Sequence, residues 1–235
     1  MSSRWIPLES NPDVLNSWSN KAGLVPLVQF DDVFGLDEAL LTMVPQPVKA
    51  VVLLFPISPE SEARRKQEDE EILSKGQPTL DPTVFWIKQT ISNACGTMGL
   101  IHAIANSDAT LKPESPLSKF IDQCTDKTPE ERAKLLETTP LFADIHAQAA
   151  SSGQSAVPTN LDTDLHFTCF VAAPSAGTGP GMRVVELDGR RNGPIDRGEC
   201  TDLLADAAKV IQEVYMGNSQ SMQFNVMALG PAAKD

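Results

Sequence analysis

Four stretches of the chain carry the apolar pattern of β-strands. Residues 48–55 form a continuous run rich in β-branched side chains, closed by Pro56, which predicts a buried central strand. Apolar residues alternate with others over 165–172 and again over 224–228, which is typical of strands with two different faces. Residues 182–187 follow a turn rich in glycine and proline, so they predict the strand that returns beside 165–172.

Helical patterns occupy most of the remaining chain. Asn11 followed by Pro12 predicts a helix start, because a proline at the first position has no N–H to leave unpaired. From Asn93 onward apolar residues recur at helical spacing, and Ser92 or Asn93 offers the N-cap oxygen. Further helices are predicted at 37–43, at 59–75, where the charges are typical of a solvated helix, at 128–136 and at 201–215. Helices with a mainly antiparallel sheet, and no repeats, predict an α+β fold in one domain, residues 1–235.

Residues 146–164 show neither the helical nor the strand periodicity of apolar residues, and they are rich in Ser, Ala, Gly, Gln and Asp. We expect a long mobile loop that starts at or beside His146, and such loops inside compact domains are commonly functional. A linker between two domains is the alternative interpretation. It is the weaker one, because the residues on both sides are needed for the chemistry described below.

Size and charge narrow the class of protein. With 235 residues, 41% hydrophobic and 21% charged, the chain is globular and can bury a core in one large domain or two small ones. Its apolar runs are shorter than a membrane span and its first residues lack a signal-peptide pattern, so we expect a cytoplasmic protein, with the nucleus as a second location. The net charge of −12 repels phosphate backbones and argues against nucleic acid as a partner.

The four cysteines, at 95, 124, 169 and 200, form no Cys-x-x-Cys pair, and only three histidines accompany them, so we expect no zinc site. Cys95 lies in the first turn of the helix predicted from Asn93, where the helix dipole and free N–H groups stabilise a thiolate. Gly96 would let the backbone approach a substrate acyl group, and the amide of Gln89 could donate to an oxyanion. A buried structural cysteine is the alternative interpretation.

A thiol nucleophile needs a base, and geometry separates the three histidines. His102 lies seven residues after Cys95 on the same helix, ~10.5 Å along the axis and too far for a hydrogen bond. His146 falls at the mobile loop, where nothing predicts a fixed geometry. His166 starts a strand, and a hairpin centred near position 177 places Asp188 directly opposite, where its carboxylate would orient the imidazole. A structural ion pair is the alternative interpretation of these two residues.

The chain order Gln89, Cys95, His166, Asp188 matches a papain-like arrangement, and longer strings carry a more specific resemblance. They are QTISNACGTMGLIHAIAN at 89–106, DLHF at 164–167, ELDGR at 186–190, RWIPLE at 4–9, VPQP at 44–47 and FNVMAL at 224–229. With these strings the chain resembles the ubiquitin C-terminal hydrolase family of cysteine deubiquitinases (peptidase C12 type) over essentially its whole length. It is most similar to the small cytosolic members that consist of the catalytic domain alone.

This resemblance implies a papain-like cysteine hydrolase fold with a central sheet between helices and a knotted topology. It implies that Cys95 is the nucleophile, His166 the general base and acid, Asp188 its orienting partner and Gln89 the oxyanion donor. The segment at about 146–164 would be a crossover loop that passes over the active site and restricts which leaving groups can pass. We expect a monomer that needs no cofactor.

The substrate implied is ubiquitin joined through its C-terminal glycine to a small or unfolded group by an ester, thioester, amide or peptide bond. Ubiquitin's tail is basic, which suits an acidic enzyme, and Glu9, Asp13 and Asp32 match family contacts with ubiquitin. Two features depart from the family pattern: the turn at 174–181 is long, and Ser221 stands where small relatives place an acidic contact. A hydrolase acting mainly on NEDD8 and a low-turnover ubiquitin-binding protein are the alternatives.

Overall fold

The computed structural model describes residues 4–154, 160–176, 181–217, 219 and 221–232. Its strands are β1 (Val28–Asp32), β2 (Ala50–Pro56), β3 (Leu165–Pro174), β4 (Met182–Leu187), β5 (Ile195–Cys200) and β6 (Asn225–Pro231). Its helices are α1 (Pro12–Ala22), α2 (Glu38–Leu41), α3 (Pro59–Lys75), α4 (Cys95–Ala105), α5 (Pro116–Cys124), α6 (Pro129–Glu137), α7 (Pro140–Ala150) and α8 (Leu203–Val210), which a π-helical segment, Ile211–Met216, continues.

The six strands form one sheet in the order β1-β6-β2-β3-β4-β5, and every neighbouring pair is antiparallel. The side chains of β2 are buried on both faces of this sheet. Ala50 and Val52 belong to a larger apolar core that also contains α1 and α4 to α7, and Val51 and Leu53 belong to a smaller core beside α8. The predicted α+β fold, with an antiparallel sheet between helices, is therefore confirmed. The knotted topology stays a prediction.

Local signals set most of the helix starts. The Asn11 side chain accepts a hydrogen bond from the N–H of Val14 (2.9 Å), with Pro12 at the first helical position, as the sequence predicts. Ser58 and Thr128 cap α3 and α6 in the same way, each within a reciprocal capping box. These starts depend on residues close together in the chain, which is why sequence patterns find them.

The structure corrects several predicted elements. Strands β1 and β5 are missing from the prediction, because they form the two edges of the sheet and carry polar residues, VQFDD and IDRGEC. Helix α5 was also missed, and α7 occupies the first residues of the segment that we predicted as a loop, 146–164. The α7 residues Phe142, Ile145, His146 and Ala149 are buried at helical spacing, a pattern that the small and polar residues around them obscure.

Parts of two predicted turns lie outside the described residues. They are 155–159, within the predicted crossover loop, and 177–180, within the predicted hairpin turn. Among the helices that the structure describes, none is both long and apolar enough to cross a membrane.

Candidate active site

Cys95 is the first residue of α4, and 8% of it is exposed. The residue before the helix is Ala94, and no side chain caps the helix, so the predicted cap by Ser92 or Asn93 is wrong. Asn93 instead adopts a left-handed conformation (φ 63°) and uses its amide to bind two backbone carbonyls. The N–H groups of the first turn are therefore not occupied by a side-chain cap and can stabilise a thiolate at Cys95.

His166 and Asp188 lie side by side, both buried, with His166 Nε2 2.8 Å from Asp188 Oδ1. Their contact differs from the predicted one. In the β3–β4 ladder Cys169 pairs with Leu187, so the register places Thr168 at the level of Asp188, two residues away from the prediction. Asp188 follows the last residue of β4 and reaches His166 diagonally.

Both carboxylate oxygens of Asp188 accept hydrogen bonds from other parts of the protein. Oδ1 also accepts from the backbone N–H of Arg190 (2.8 Å), and Oδ2 accepts from the guanidinium of Arg65 on α3. Burial alone would raise the pKa of Asp188, but the charges of His166 and Arg65 outweigh it and hold the pKa far below its ordinary value. Asp188 is therefore a charged, fixed acceptor at the edge of the imidazole.

Electrostatics distinguish Cys95 from the other thiols. Burial raises the pKa of Cys124 and Cys200 to about 11, and that of Cys169 further. Burial acts in the same direction on Cys95, but the hydrogen bond and charge of His166 and the N–H of Phe167 outweigh it and lower the pKa.

The pKa of His166 shifts in the opposite direction. Burial lowers it, but the charge and hydrogen bond of Asp188, together with Cys95, raise it to about 9. Because Nε2 of His166 is bound to Asp188, Nδ1 is the nitrogen left to face the thiol. The pair can therefore hold the proton on the imidazole and leave a thiolate on Cys95, which is the form that attacks a carbonyl carbon.

Gln89 is the last residue of the segment 85–89, which precedes α4 in the chain. We call these residues the Gln89 segment. The backbone N–H of Gln89 donates to the carbonyl of Gly189 (2.8 Å). Its side-chain Nε2 donates to the carbonyl of Ile91 (3.1 Å), which also accepts from the N–H of Ala94 (3.3 Å), the residue before Cys95. The amide of Gln89 is thus held at the N-terminus of α4, with a second N–H available.

Two glycines permit close packing around these residues. A Cβ on Gly189 would lie 2.8 Å from Cβ of Gln89 and 3.0 Å from its backbone nitrogen, so glycine allows the chain after Asp188 to approach the Gln89 segment. A Cβ on Gly96 would lie 3.0 Å from Cδ1 of Leu8. The room that we predicted for a substrate at Gly96 is taken on this side by Leu8.

The described parts of the predicted crossover loop contact a residue that lies close to Cys95 in the chain and a residue of the N-terminal segment. The amide of Asn93 donates to the carbonyls of Trp5 (3.0 Å) and Leu161 (2.9 Å), which ties the end of the loop to the residues before α4. At the other end, a Cβ on Gly153 would clash with the carboxylate of Glu9. The part of the loop at Gly153 therefore lies beside Glu9.

The three acidic residues expected to contact a partner lie on neighbouring surface elements. Glu9 is half-buried and accepts from the Asn11 amide (2.7 Å), and Asp13 is exposed in the first turn of α1. Asp32 is half-buried at the end of β1 and accepts from Asn225 (3.4 Å). Asp32 also lines a groove of about 320 Å³ whose walls include Pro12, Asp31, Phe34 and Met43.

The other two histidines are buried away from the thiol. His146 belongs to α7 rather than to a mobile loop, so that expectation is wrong; its Nδ1 is bonded to Oγ1 of Thr97 (2.9 Å) and its Nε2 to the carbonyl of Ile6 (2.5 Å). His102 accepts from the N–H of Ile87 (3.1 Å). Burial lowers the pKa of both histidines to about 4, which keeps them neutral.

Sequence reasoning missed two residues that touch Asp188. Arg65 lies in the helix that we predicted to be solvated, and Trp86 donates from Nε1 to the Asp188 carbonyl (3.1 Å). Nothing in the local pattern distinguishes Arg65 from Arg64 beside it. No group of three or more potential metal ligands is present among the residues that the structure describes.

Comparisons with known proteins agree on one family. The sequence model of ubiquitin carboxyl-terminal hydrolase, family 1, matches residues 5–216. The chain is 42% identical over 233 residues to ubiquitin carboxyl-terminal hydrolase 3 of Arabidopsis thaliana, covering 97% of this chain and 94% of that protein. It is 38% identical over 231 residues to isozyme L1 of Rattus norvegicus, covering 97% and 98%.

Among solved structures, the chain is similar to the catalytic domain of Trichinella spiralis UCH37 bound to ubiquitin vinyl methyl ester. The TM-score is 0.72 at 22% identity, covering 97% of this chain and 96% of that one. At this identity the likeness shows the fold, which is the one described above.

Proposed function

The chain belongs to the ubiquitin carboxyl-terminal hydrolase family, and on that premise we propose that it cleaves ester, thioester, amide and peptide bonds after the C-terminal glycine of ubiquitin. The released groups are small or unfolded, and free ubiquitin is returned for use. One observation carries this proposal: a thiol with a lowered pKa at a helix N-terminus interacts with an imidazole that a buried aspartate holds at 2.8 Å.

In the proposed reaction the Cys95 thiolate attacks the glycine carbonyl carbon, and a C–S bond forms as charge moves to the oxygen. The side-chain N–H of Gln89 and the backbone N–H of Cys95 stabilise that oxyanion. Protonated His166 gives its proton to the leaving atom as its bond to carbon breaks. Water then attacks the thioester carbon, His166 accepts one proton of the water, and the C–S bond breaks to return the thiolate. The carboxyl group of ubiquitin loses the second proton to solvent. Asp188 orients His166 throughout.

Ubiquitin is the proposed partner, held in part by Glu9, Asp13 and Asp32. The net charge of −12 and the two aspartates of the groove, Asp31 and Asp32, support attraction of a basic tail. We expect the association rate constant to fall as salt is raised, because surface charges are then screened. Stopped-flow mixing with fluorescent ubiquitin measures this, with Asp13→Asn and Asp32→Asn compared against Asp126→Asn in the α5–α6 turn. A rate constant independent of salt would remove the electrostatic argument.

The domain is proposed to span residues 1–235, with a crossover loop over about 146–164 that limits the size of the leaving group. Its described ends, near Glu9 and Asn93, support a path across Cys95. A flexible Gly/Ser insert in the loop should speed cleavage of folded ubiquitin conjugates and leave small esters unaffected. The same insert after Asp126 is the control. Equal rates on folded conjugates for both inserts would contradict the gating role.

The decisive experiment is intact mass and peptide mapping after reaction with ubiquitin, and separately NEDD8, carrying a vinyl methyl ester at the C-terminus. We expect one ubiquitin adduct on Cys95, no adduct with Cys95→Ala, and a normal adduct with Cys200→Ala. A faster reaction with NEDD8 would favour the alternative substrate. Steady-state turnover of a ubiquitin ester then separates an enzyme from a low-turnover binding protein, and hydrolysis that survives in Cys95→Ala would overturn the assignment of the nucleophile.

A further inference from the structure

Two turns after Cys95, α4 carries a buried histidine that the proposed reaction does not use. His102 is fully buried, and its Nε2 accepts a hydrogen bond from the backbone N–H of Ile87 (3.1 Å). One turn further along, Asn106 accepts from the N–H of Phe85 (2.6 Å) and donates to the carbonyl of Phe85 (2.8 Å). The side chains of His102, on α4, and of Asn106, the residue that follows α4, therefore hold alternate residues of the Gln89 segment.

The spacing of these contacts aligns the segment with the helix. His102 and Asn106 are four residues apart, which is about 6 Å along a helix axis. Ile87 and Phe85 are two residues apart, which is about 6.6 Å in an extended chain. The segment thus runs antiparallel to α4, and each further pair of its residues moves one helical turn closer to Cys95.

The next N–H in this alternation belongs to Gln89. The facing position one turn before His102 is Met98, which has no strong acceptor, and the Gln89 N–H is bound instead by the carbonyl of Gly189 (2.8 Å). The segment ends where the Gln89 side chain meets the carbonyl of Ile91. The helix that carries the nucleophile therefore also sets the path of the chain that carries the oxyanion donor.

The role of His102 requires a neutral imidazole with its proton on Nδ1, because Nε2 acts as the acceptor. The backbone of Leu187, the last residue of β4, provides a further hydrogen bond to the ring. Burial lowers the pKa of His102 to about 4, so the acceptor persists at neutral pH. An apolar side chain of similar size would leave the Ile87 N–H buried and unpaired, which costs free energy and releases the segment.

We propose that His102 is a positioning residue which, with Asn106, holds the Gln89 segment against α4 and so fixes the Gln89 amide at the oxyanion. This inference rests on the proposed function, in which Gln89 stabilises the oxyanion. It assigns His102 a role in turnover that acts through Gln89 and leaves the nucleophile unchanged.

The test compares His102→Phe, which keeps a ring and removes the acceptor, with His102→Gln, whose side-chain oxygen can still accept. For a ubiquitin ester we expect kcat to fall about 10- to 100-fold in His102→Phe with KM within twofold, and His102→Gln to recover most of the loss. Alkylation of Cys95 by iodoacetamide needs no oxyanion, so its rate should stay within twofold of the parent. His146→Gln, a change at another buried neutral histidine, is the control and should leave kcat within twofold.

A double-mutant cycle with Gln89→Ala identifies the path of the effect. If His102 acts through Gln89, His102→Phe should change kcat less than threefold in the Gln89→Ala background. A full 10-fold or greater loss in that background, an unchanged kcat in the parent, or a matching loss in alkylation would overturn the inference. An unaffected Gln89→Ala enzyme would instead overturn the oxyanion assignment of the proposed function itself.

Asn106→Ala provides a second variant in case His102→Phe does not fold. It releases Phe85 at the far end of the Gln89 segment, so we expect a smaller loss of kcat, about 3- to 10-fold, again with unchanged alkylation. This loss should also disappear in the Gln89→Ala background. A loss of equal size in both backgrounds would overturn the inference.

Discussion

Helices α3 and α4 both reach the Cys95, His166 and Asp188 centre, but different forces hold them in place. Ten of the eleven residues of α4 are buried, and it packs inside the larger core. None of the 17 residues of α3, all of them described, is buried. Helix α3 is joined to Asp188 and the residues after it, and to Arg197 of β5, by ion pairs. They are Arg65–Asp188, Glu62–Arg190, Glu68–Arg191, Asp69–Arg191 and Glu68–Arg197.

This difference separates two requirements of the site. Apolar burial fixes α4, and with it Cys95, in a way that does not depend on salt. The ion pairs of α3 are directional and place a cation against the outer oxygen of Asp188. The nucleophile is thus positioned by packing, whereas the charge that Asp188 presents to His166 is adjusted from a helix on the surface.

The largest effect is expected at Asp188, which contacts both His166 and Arg65 of α3. Asp188→Asn keeps the shape and removes the charge, so kcat should fall about 10²- to 10⁴-fold with little change in ubiquitin affinity. Burial lowers the pKa of His166, but Asp188 together with Cys95 raises it to about 9, and activity is lost as pH rises through that pKa. The alkaline limb of kcat/KM should therefore move to lower pH. A large loss of affinity with an unmoved pH profile would recast Asp188 as a binding residue.

The next largest effect is expected on stability, where removing a side chain should cost more in α4 than in α3. Leu100→Ala in α4 removes a fully buried side chain and should lower the free energy of unfolding by about 2–5 kcal/mol. Leu73→Ala in α3 removes a side chain that is 84% exposed and should change it by less than about 0.5 kcal/mol. Urea unfolding monitored by circular dichroism measures both. Equal losses would mean that α3 is packed more deeply than its exposure indicates.

The Arg65–Asp188 ion pair can be removed without a change in the apolar core. Arg65→Met leaves one oxygen of a buried carboxylate without its cation, and we expect a loss of about 1–3 kcal/mol in the free energy of unfolding. Arg64→Met, at the exposed neighbour, is the control and should stay within about 0.5 kcal/mol. If the two variants were equally stable, the Arg65–Asp188 pair would add nothing to stability.

The smallest effect is expected from salt alone. Raising NaCl from 0.1 to 1 M shortens the Debye length from about 10 Å to about 3 Å. This weakens the exposed Glu62–Arg190 pair, worth less than about 1 kcal/mol, more than the pairs of Arg65, Arg191 and Arg197, whose side chains are at most 11% exposed. Amide hydrogen exchange, measured by mass spectrometry, should become faster in α3 and stay unchanged in α4. Identical changes in the two helices would show that α3 does not depend on its ion pairs.

Local patterns predicted the parts of the fold that neighbouring residues control. The helix start at Asn11 and Pro12, the buried run of β2 and the helical spacing of α4 depend on residues within one or two turns of each other. The edge strands β1 and β5 were missed because their exposed sides accept polar residues, and α7 was missed because its apolar spacing is surrounded by small and polar ones.

The class of fold, a helix that starts near Cys95, and the pairing of His166 with Asp188 could be predicted from the sequence alone. Only the tertiary structure decided how they meet: a register two residues from the expected one, Arg65 against Asp188, and His102 against the Gln89 segment. The physical reason is distance along the chain. Capping and amphipathic spacing are set by residues a few positions apart, whereas Arg65 and Asp188 lie 123 positions apart. Such contacts follow from how the sheet and both cores assemble.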